Sequence, residues 1–131
     1  MAYIPESTEW FLAEVVQAIH VSRGDDTGEL HVLLVLIQAK DPESAYEKAN
    51  VWGREHDVSY INTDGDLVIN RFLGISALNV VYDPLEHGTE LLDNDYGAPT
   101  PEKLDRLLVP KEDLNVFKPI PEVDWPGRSD L

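Results

Sequence analysis

Cysteine is absent from this 131-residue chain. Disulfides, thiolate metal sites and cysteine nucleophiles are therefore excluded. Long apolar runs are also missing. The longest, VLLVLI at 32–37, falls far short of the roughly 20 residues that a membrane-spanning helix needs. The opening residues, MAYIPESTEW, contain neither a basic n-region nor an apolar h-region, so no signal peptide is expected and the expected compartment is the cytoplasm. Positive charge is scarce: 10 Lys and Arg face 25 Asp and Glu, for a net charge of −15. Such a chain repels phosphate backbones and anionic bilayers, so neither nucleic acid nor membrane is expected as a partner. A basic protein, by contrast, would be steered toward it. There is no glycine-rich phosphate loop, no Gly-x-Ser-x-Gly elbow and no His-Glu-x-x-His, so the motifs supply no catalytic residue and no cofactor.

What is present reads as one domain and a tail. Apolar residues make up 43% and charged residues 27%, as in soluble globular proteins. EWFLAEVVQAIHVS at 9–22 is β-branched and aromatic, with apolar groups on both alternating faces, which predicts a strand covered on both sides. RGDDTGE at 23–29 is a turn cluster and LHVLLVLIQAK at 30–40 a second apolar run; together they predict a central hairpin. In DPESAYEKANVWGRE at 41–55, Asp41 is a good N-cap, and Pro42 occupies the first helical position, where its missing N–H costs nothing. Ala45, Tyr46, Ala49, Trp52 and Gly53 lie three or four apart and make one face. The small residues on that face would let the helix sit close to a sheet, with Tyr46 and Trp52 as flanking bulk.

Asp64-Gly65 then signals a two-residue hairpin turn that would pair Tyr60 with Ile69 and Val58 with Arg71. Gly74 marks a bulge or bend, ALNVVYD at 77–83 reads as a further strand, and TELLD at 89–93 could pair back. The expected fold is a two-layer α+β domain over residues 1–92, with an antiparallel sheet in the order ββαβββ along the chain and one main helix. Residues 83–131 hold seven of the nine prolines. Residues 93–131 read as an extended, acidic, proline-rich tail with one short helix capped by Thr100 and opened by Pro101. Leu114, Val116, Phe117, Ile120, Val123 and Trp125 are too apolar for a purely solvating tail, so it is expected to dock on its own domain or on a partner.

The segments EWFLAEVV, VLLVLIQAKDPESAYEKA and YINTDGDLVINRFLGISALNVVYD together resemble the bacterial family called domain of unknown function 4288. The carrying features are a Trp-x-Leu-Ala-Glu start, a capped helix with Ala-Tyr-x-Lys-Ala, and a Phe-Leu-Gly-Ile run before a final strand. These features are structural. The resemblance implies a small α+β domain and supplies no functional residues.

Several constellations bear on chemistry. A turn centred on Asp25-Asp26 would set His20 opposite His31, a pair able to hold a divalent metal, but a turn one residue later breaks the pairing, and two polar strand residues near a turn are the favoured reading. NTDGD at 62–66 resembles part of a calcium loop, but Leu67 stands where the glycine after the third acidic position is needed, and no glutamate closes the loop. Glu14 lies inside an apolar strand and could act as an acid or base, but a pairing with a cation such as Arg71 or an exposed sheet position is the favoured reading. Trp10, Tyr46 and Trp52 could line a pocket between helix and sheet or simply pack a core. The leading functional expectation is a non-enzymatic, acidic protein-interaction module that binds a basic partner in the manner of an immunity protein or inhibitor. The alternative is a small-molecule-binding or enzymatic domain with Glu14, Tyr46, Trp52 and Arg71 at its site. The far side of the sheet needs cover, which suggests a homodimer or a clasp formed by the tail.

Overall fold

The computed structural model describes residues 9–22 and 28–118. Two units are present, one reaching Asp93 and the other starting at Asn94. The first contains β1 (Trp10–Val21), β2 (Glu29–Gln38), α1 (Pro42–Glu55), β3 (Val58–Ile61) and β4 (Leu67–Val81). The second contains α2 (Pro101–Leu107) and two short 3-10 turns. The four strands form an antiparallel sheet in the spatial order β2-β1-β4-β3. Among the described residues, no helix is long and apolar enough to cross a membrane.

The α+β class agrees with the reading of the sequence, and the strand count does not. A single β4 replaces the two expected strands, giving ββαββ along the chain. Gly74 does mark an irregularity, but the ladder runs through it. β4 bulges twice against β1, leaving Leu73 and Ser76 unpaired on either side of the Gly74–Ile75 pair. Bulges add a residue and bend a strand without ending it. The expected centre of the sheet also shifts. β1 and β4 are the inner strands, and β2 is an edge.

α1 forms as its sequence dictates. The Asp41 carboxylate accepts the Ser44 N–H at 2.7 Å, Pro42 opens the helix, and His56 closes it with its N–H directed at the Gly53 and Arg54 carbonyls. Ala45, Ala49 and Gly53 are buried, Trp52 is half-buried and Tyr46 lies exposed. The buried stripe sits on Phe11, Ala13 and Val15 of β1 and on Ile37 and Ala39, with Leu33, Val35, Phe72, Ile75, Leu78 and Val80 around it. These residues define the helix-facing side of the sheet. Leu12, Glu14, Val16 and Ala18, pairing with Leu36, Leu34, Val32 and Leu30, lie on the other.

Both hairpins differ in register from the expected ones. In the first, Gln17 opposes His31 and Ala18 opposes Leu30, three positions from the register that would have paired the histidines. The cause is the core, because Ile37 and Ala39 must turn toward the helix together with Phe11. Along this ladder His20 comes opposite Gly28, where a β-carbon would overlap the His20 ring. Residues 23–27, part of the turn cluster expected from the sequence, lie outside the described residues, as do Ile120, Val123 and Trp125. In the second hairpin Tyr60 pairs with Val68 and Val58 with Asn70. The turn has three residues between Asn62 and Asp66, not two. The Asn62 side chain accepts the Asp64 and Asp66 N–H groups at 3.0 and 2.9 Å, and Gly65 takes φ +83°. The one-residue slip exchanges the faces, so Tyr60 now shares the helix side with Val68 and Phe72.

Residues 90–93 return beside the domain without joining the sheet. In the second unit, Thr100 caps α2 by accepting the Lys103 N–H at 3.3 Å, and no residue of α2 is buried.

A β-carbon at Gly53 would overlap the Phe72 ring. In an exposed helix, Gly→Ala stabilises by about 1 kcal/mol. Here Gly53→Ala is expected to destabilise by about 1–3 kcal/mol through overpacking, read as a lower urea midpoint. A midpoint equal to or above that of the wild type would show that helix and sheet are not in close contact at this point.

Candidate binding cleft

The residues singled out from the sequence do not gather. Glu14 and Arg71 lie on the sheet face opposite the helix, since Glu14 pairs with Ala77 and Arg71 with Ala18. Tyr46 and Trp52 belong to α1, on the other side. Glu14 is four strand positions from the partner of Arg71, and its Oε1 accepts a hydrogen bond from the hydroxyl of the bulged Ser76 at 3.1 Å. Trp52 stacks on His56 with ring centroids 3.7 Å apart and an interplanar angle of 19°. The His56 Nδ1 lies 2.7 Å from the Trp52 carbonyl oxygen, so this pair closes the helix. His31 meets Glu29 at 2.9 Å, and among the described residues no three His, Asp or Glu side chains are placed to hold a metal. The NTDGD stretch is the hairpin turn described above.

A cleft of about 320 Å³ opens instead at the N-terminal end of α1. Its floor is the end of the core: Phe11 of β1 opposite Val80, and Leu78 opposite Ala13, all facing the helix side. Pro42 forms one wall and the returning Leu91 and Leu92 form the other. Asp83, Glu90 and Asp93 are exposed residues of the lining, which includes no Lys, Arg or His. The three carboxylates do not converge on a common metal position. An apolar floor under separated carboxylates suits a side chain with an alkyl stem and a cationic head, such as lysine or arginine.

The wall depends on a short turn. The Thr89 hydroxyl accepts the Glu86 N–H at 2.9 Å and donates to the Pro84 carbonyl at 2.6 Å. The Thr89 N–H donates to the Glu86 carbonyl at 3.1 Å, and Gly88 takes φ +87°, a conformation natural to glycine. This turn reverses the chain after β4 and carries Glu90–Asp93 back past Leu78 and Val80. In the sequence itself PLEHG at 84–88 reads as a turn, and the apolar pair Leu91-Leu92 after it is the signal for the returning wall.

A family model described as domain of unknown function (DUF4288) matches residues 10–92. The match runs from the first residue of β1 through Leu92 in the cleft wall. No curated protein and no solved structure matches the chain.

Thr89→Val preserves the shape of the side chain and removes both hydroxyl hydrogen bonds. It is expected to cost about 1–3 kcal/mol and to speed amide exchange at Glu86 and Thr89 ahead of the sheet amides. Unchanged exchange at both amides would mean that the turn is held by other contacts.

Proposed function

Because the chain belongs to the DUF4288 family, whose function is unknown, we propose from its geometry that it is a non-enzymatic protein-interaction module. Its acidic cleft would receive a basic protein partner, in the manner of an immunity protein or inhibitor. One observation carries the reading: an apolar floor of Phe11, Leu78 and Val80 with three carboxylates and no cation among its lining. A Lys or Arg side chain from the partner would bury its stem on that floor and leave its charge to Asp83, Glu90 or Asp93. The net charge of −15 supports the same assignment, since it draws a basic partner over long range and raises the association rate. The exposed Leu107, Leu108, Val116 and Phe117 support a docking role for the second unit, on its own domain or on the partner.

A small cationic ligand is the second reading. The cleft volume of about 320 Å³ lies near the lower end of the ~300–1,000 Å³ range of small-molecule sites.

Capture of native-host proteins on the full chain tests both readings. A basic protein is expected to bind at low salt and to be released at high salt. It is also expected to be lost when Asp83→Asn, Glu90→Gln and Asp93→Asn are combined, substitutions at exposed positions that leave the core intact. Retention by the triple variant would move the partner away from the cleft, and no captured protein at low salt would refute the assignment. A rise in melting temperature with free arginine or a simple alkylamine, without any captured protein, would favour the small-ligand reading.

A further inference from the structure

β2 is an edge strand with uncommon properties. Over its ten residues it holds no proline, no lysine and no register shift against β1. Edge strands of soluble proteins are usually short, bulged or charged, because an open regular edge pairs with other chains. The opposite side of this sheet follows that rule: β3 has four residues, and β4 beyond it is interrupted at Leu73 and Ser76. On β2, the side chains facing away from the helix are Leu30, Val32, Leu34 and Leu36, exposed by 71, 51, 62 and 40%.

We propose that β2 pairs antiparallel with β2 of a second copy of this chain, joining two four-stranded sheets into one. A two-fold axis perpendicular to the sheet keeps each face on its own side. Residues directly opposite each other must also share a face, so odd positions meet odd ones. Leu33 on the axis is the register that pairs all four exposed residues among themselves, Val32 with Leu34 and Leu30 with Leu36. In this register Glu29 meets Ile37 and His31 meets Val35, so no like charges oppose. The area is sufficient. A strand of ten residues is about 33 Å long, and the sheet with its helix layer is about 20 Å deep, giving about 650 Å² per copy, or ~1,300 Å² in total against the ~1,000 Å² expected of a specific interface. α1 flanks this edge, its Lys48 Nζ donating to the Gln38 carbonyl at 2.7 Å. A shallow groove between Leu36, Val51 and Trp52 supplies further apolar surface.

This pairing is independent of the cleft and responds to salt in the opposite sense. Each copy carries −15, so salt screens the mutual repulsion and strengthens an apolar contact. Sedimentation of the full chain is expected to show a dimer that tightens as salt rises, whereas binding of a basic partner weakens. Leu34→Lys, at an exposed position, is expected to give a folded monomer. Because the chain has no cysteine, single cysteines report the register cleanly. With a short bifunctional thiol reagent, Leu34→Cys should link to its own copy across a diagonal of about 7–8 Å. Leu36→Cys and Ile61→Cys, remote from the axis, should not. A wild-type monomer at every salt concentration would overturn the proposal. So would a dimer that Leu34→Lys leaves intact, or one that links through Ile61→Cys and not through Leu34→Cys.

Discussion

The close seating of α1 on β1 and β4 decides most of what this fold exposes. Ala45, Ala49 and Gly53 project almost nothing, so the helix comes down until Phe72 fills the space a β-carbon at Gly53 would need. Phe11, Ala13 and Val15 are driven into that contact, and with them the facing residues of β2 and β4. Once one face of β1 is committed to the helix, the pleat turns every alternate residue outward. Glu14, Val16 and Ala18 therefore lie on the far face, however apolar their neighbours. The same commitment sets the register of the first hairpin, because Ile37 and Ala39 have to reach the helix together.

Local chemistry was the legible part of the sequence. The Asp41 cap, Pro42, the small-residue stripe and Thr100-Pro101 each act through neighbours a few residues away, and each was readable. What failed was whatever depended on counting along a strand. The two bulges in β4 each reverse the inward parity, from Phe72 to Ile75 and back to Leu78. A strict alternation cannot be read through two such reversals, which is why one strand looked like two. The second turn failed by a single residue. Asp64-Gly65 is a good signal for a two-residue turn, but Asn62 offers a side-chain oxygen to two backbone N–H groups and favours the longer loop. The edge position of β2 had no local sign at all, because a run apolar on both faces looks the same in the centre of a sheet as at an edge built for a partner.

The candidate residues scattered for a related reason. Glu14, Tyr46, Trp52 and Arg71 share only chemically useful residue types, and a two-layer fold separates them by layer. The cleft comes from a different kind of feature, the place where the helix stops covering the core. Phe11, Leu78 and Val80 extend past the first turn of α1, and the returning Leu91-Leu92 covers them in part. Because the family match spans β1 through Leu92, this returning segment belongs to the domain itself and not to the tail that follows.

The two edges of the sheet also bear on what kind of assembly is possible. A sheet open at both edges would add copies indefinitely, since each new copy would offer a fresh edge. Here one side ends in the four residues of β3 and a β4 interrupted by two bulges, and the other offers ten regular residues. The proposed contact of β2 with its own copy would use the regular edge of both chains, so among the described strands no second regular edge would remain and growth would stop at two. The charge acts in the same direction. At −15 per chain, repulsion grows with each copy added while the apolar gain per contact stays fixed, so closure at the smallest assembly is favoured. In the proposed pairing, therefore, β2 would take up one copy, while the charge and the interrupted opposite edge would act against a third.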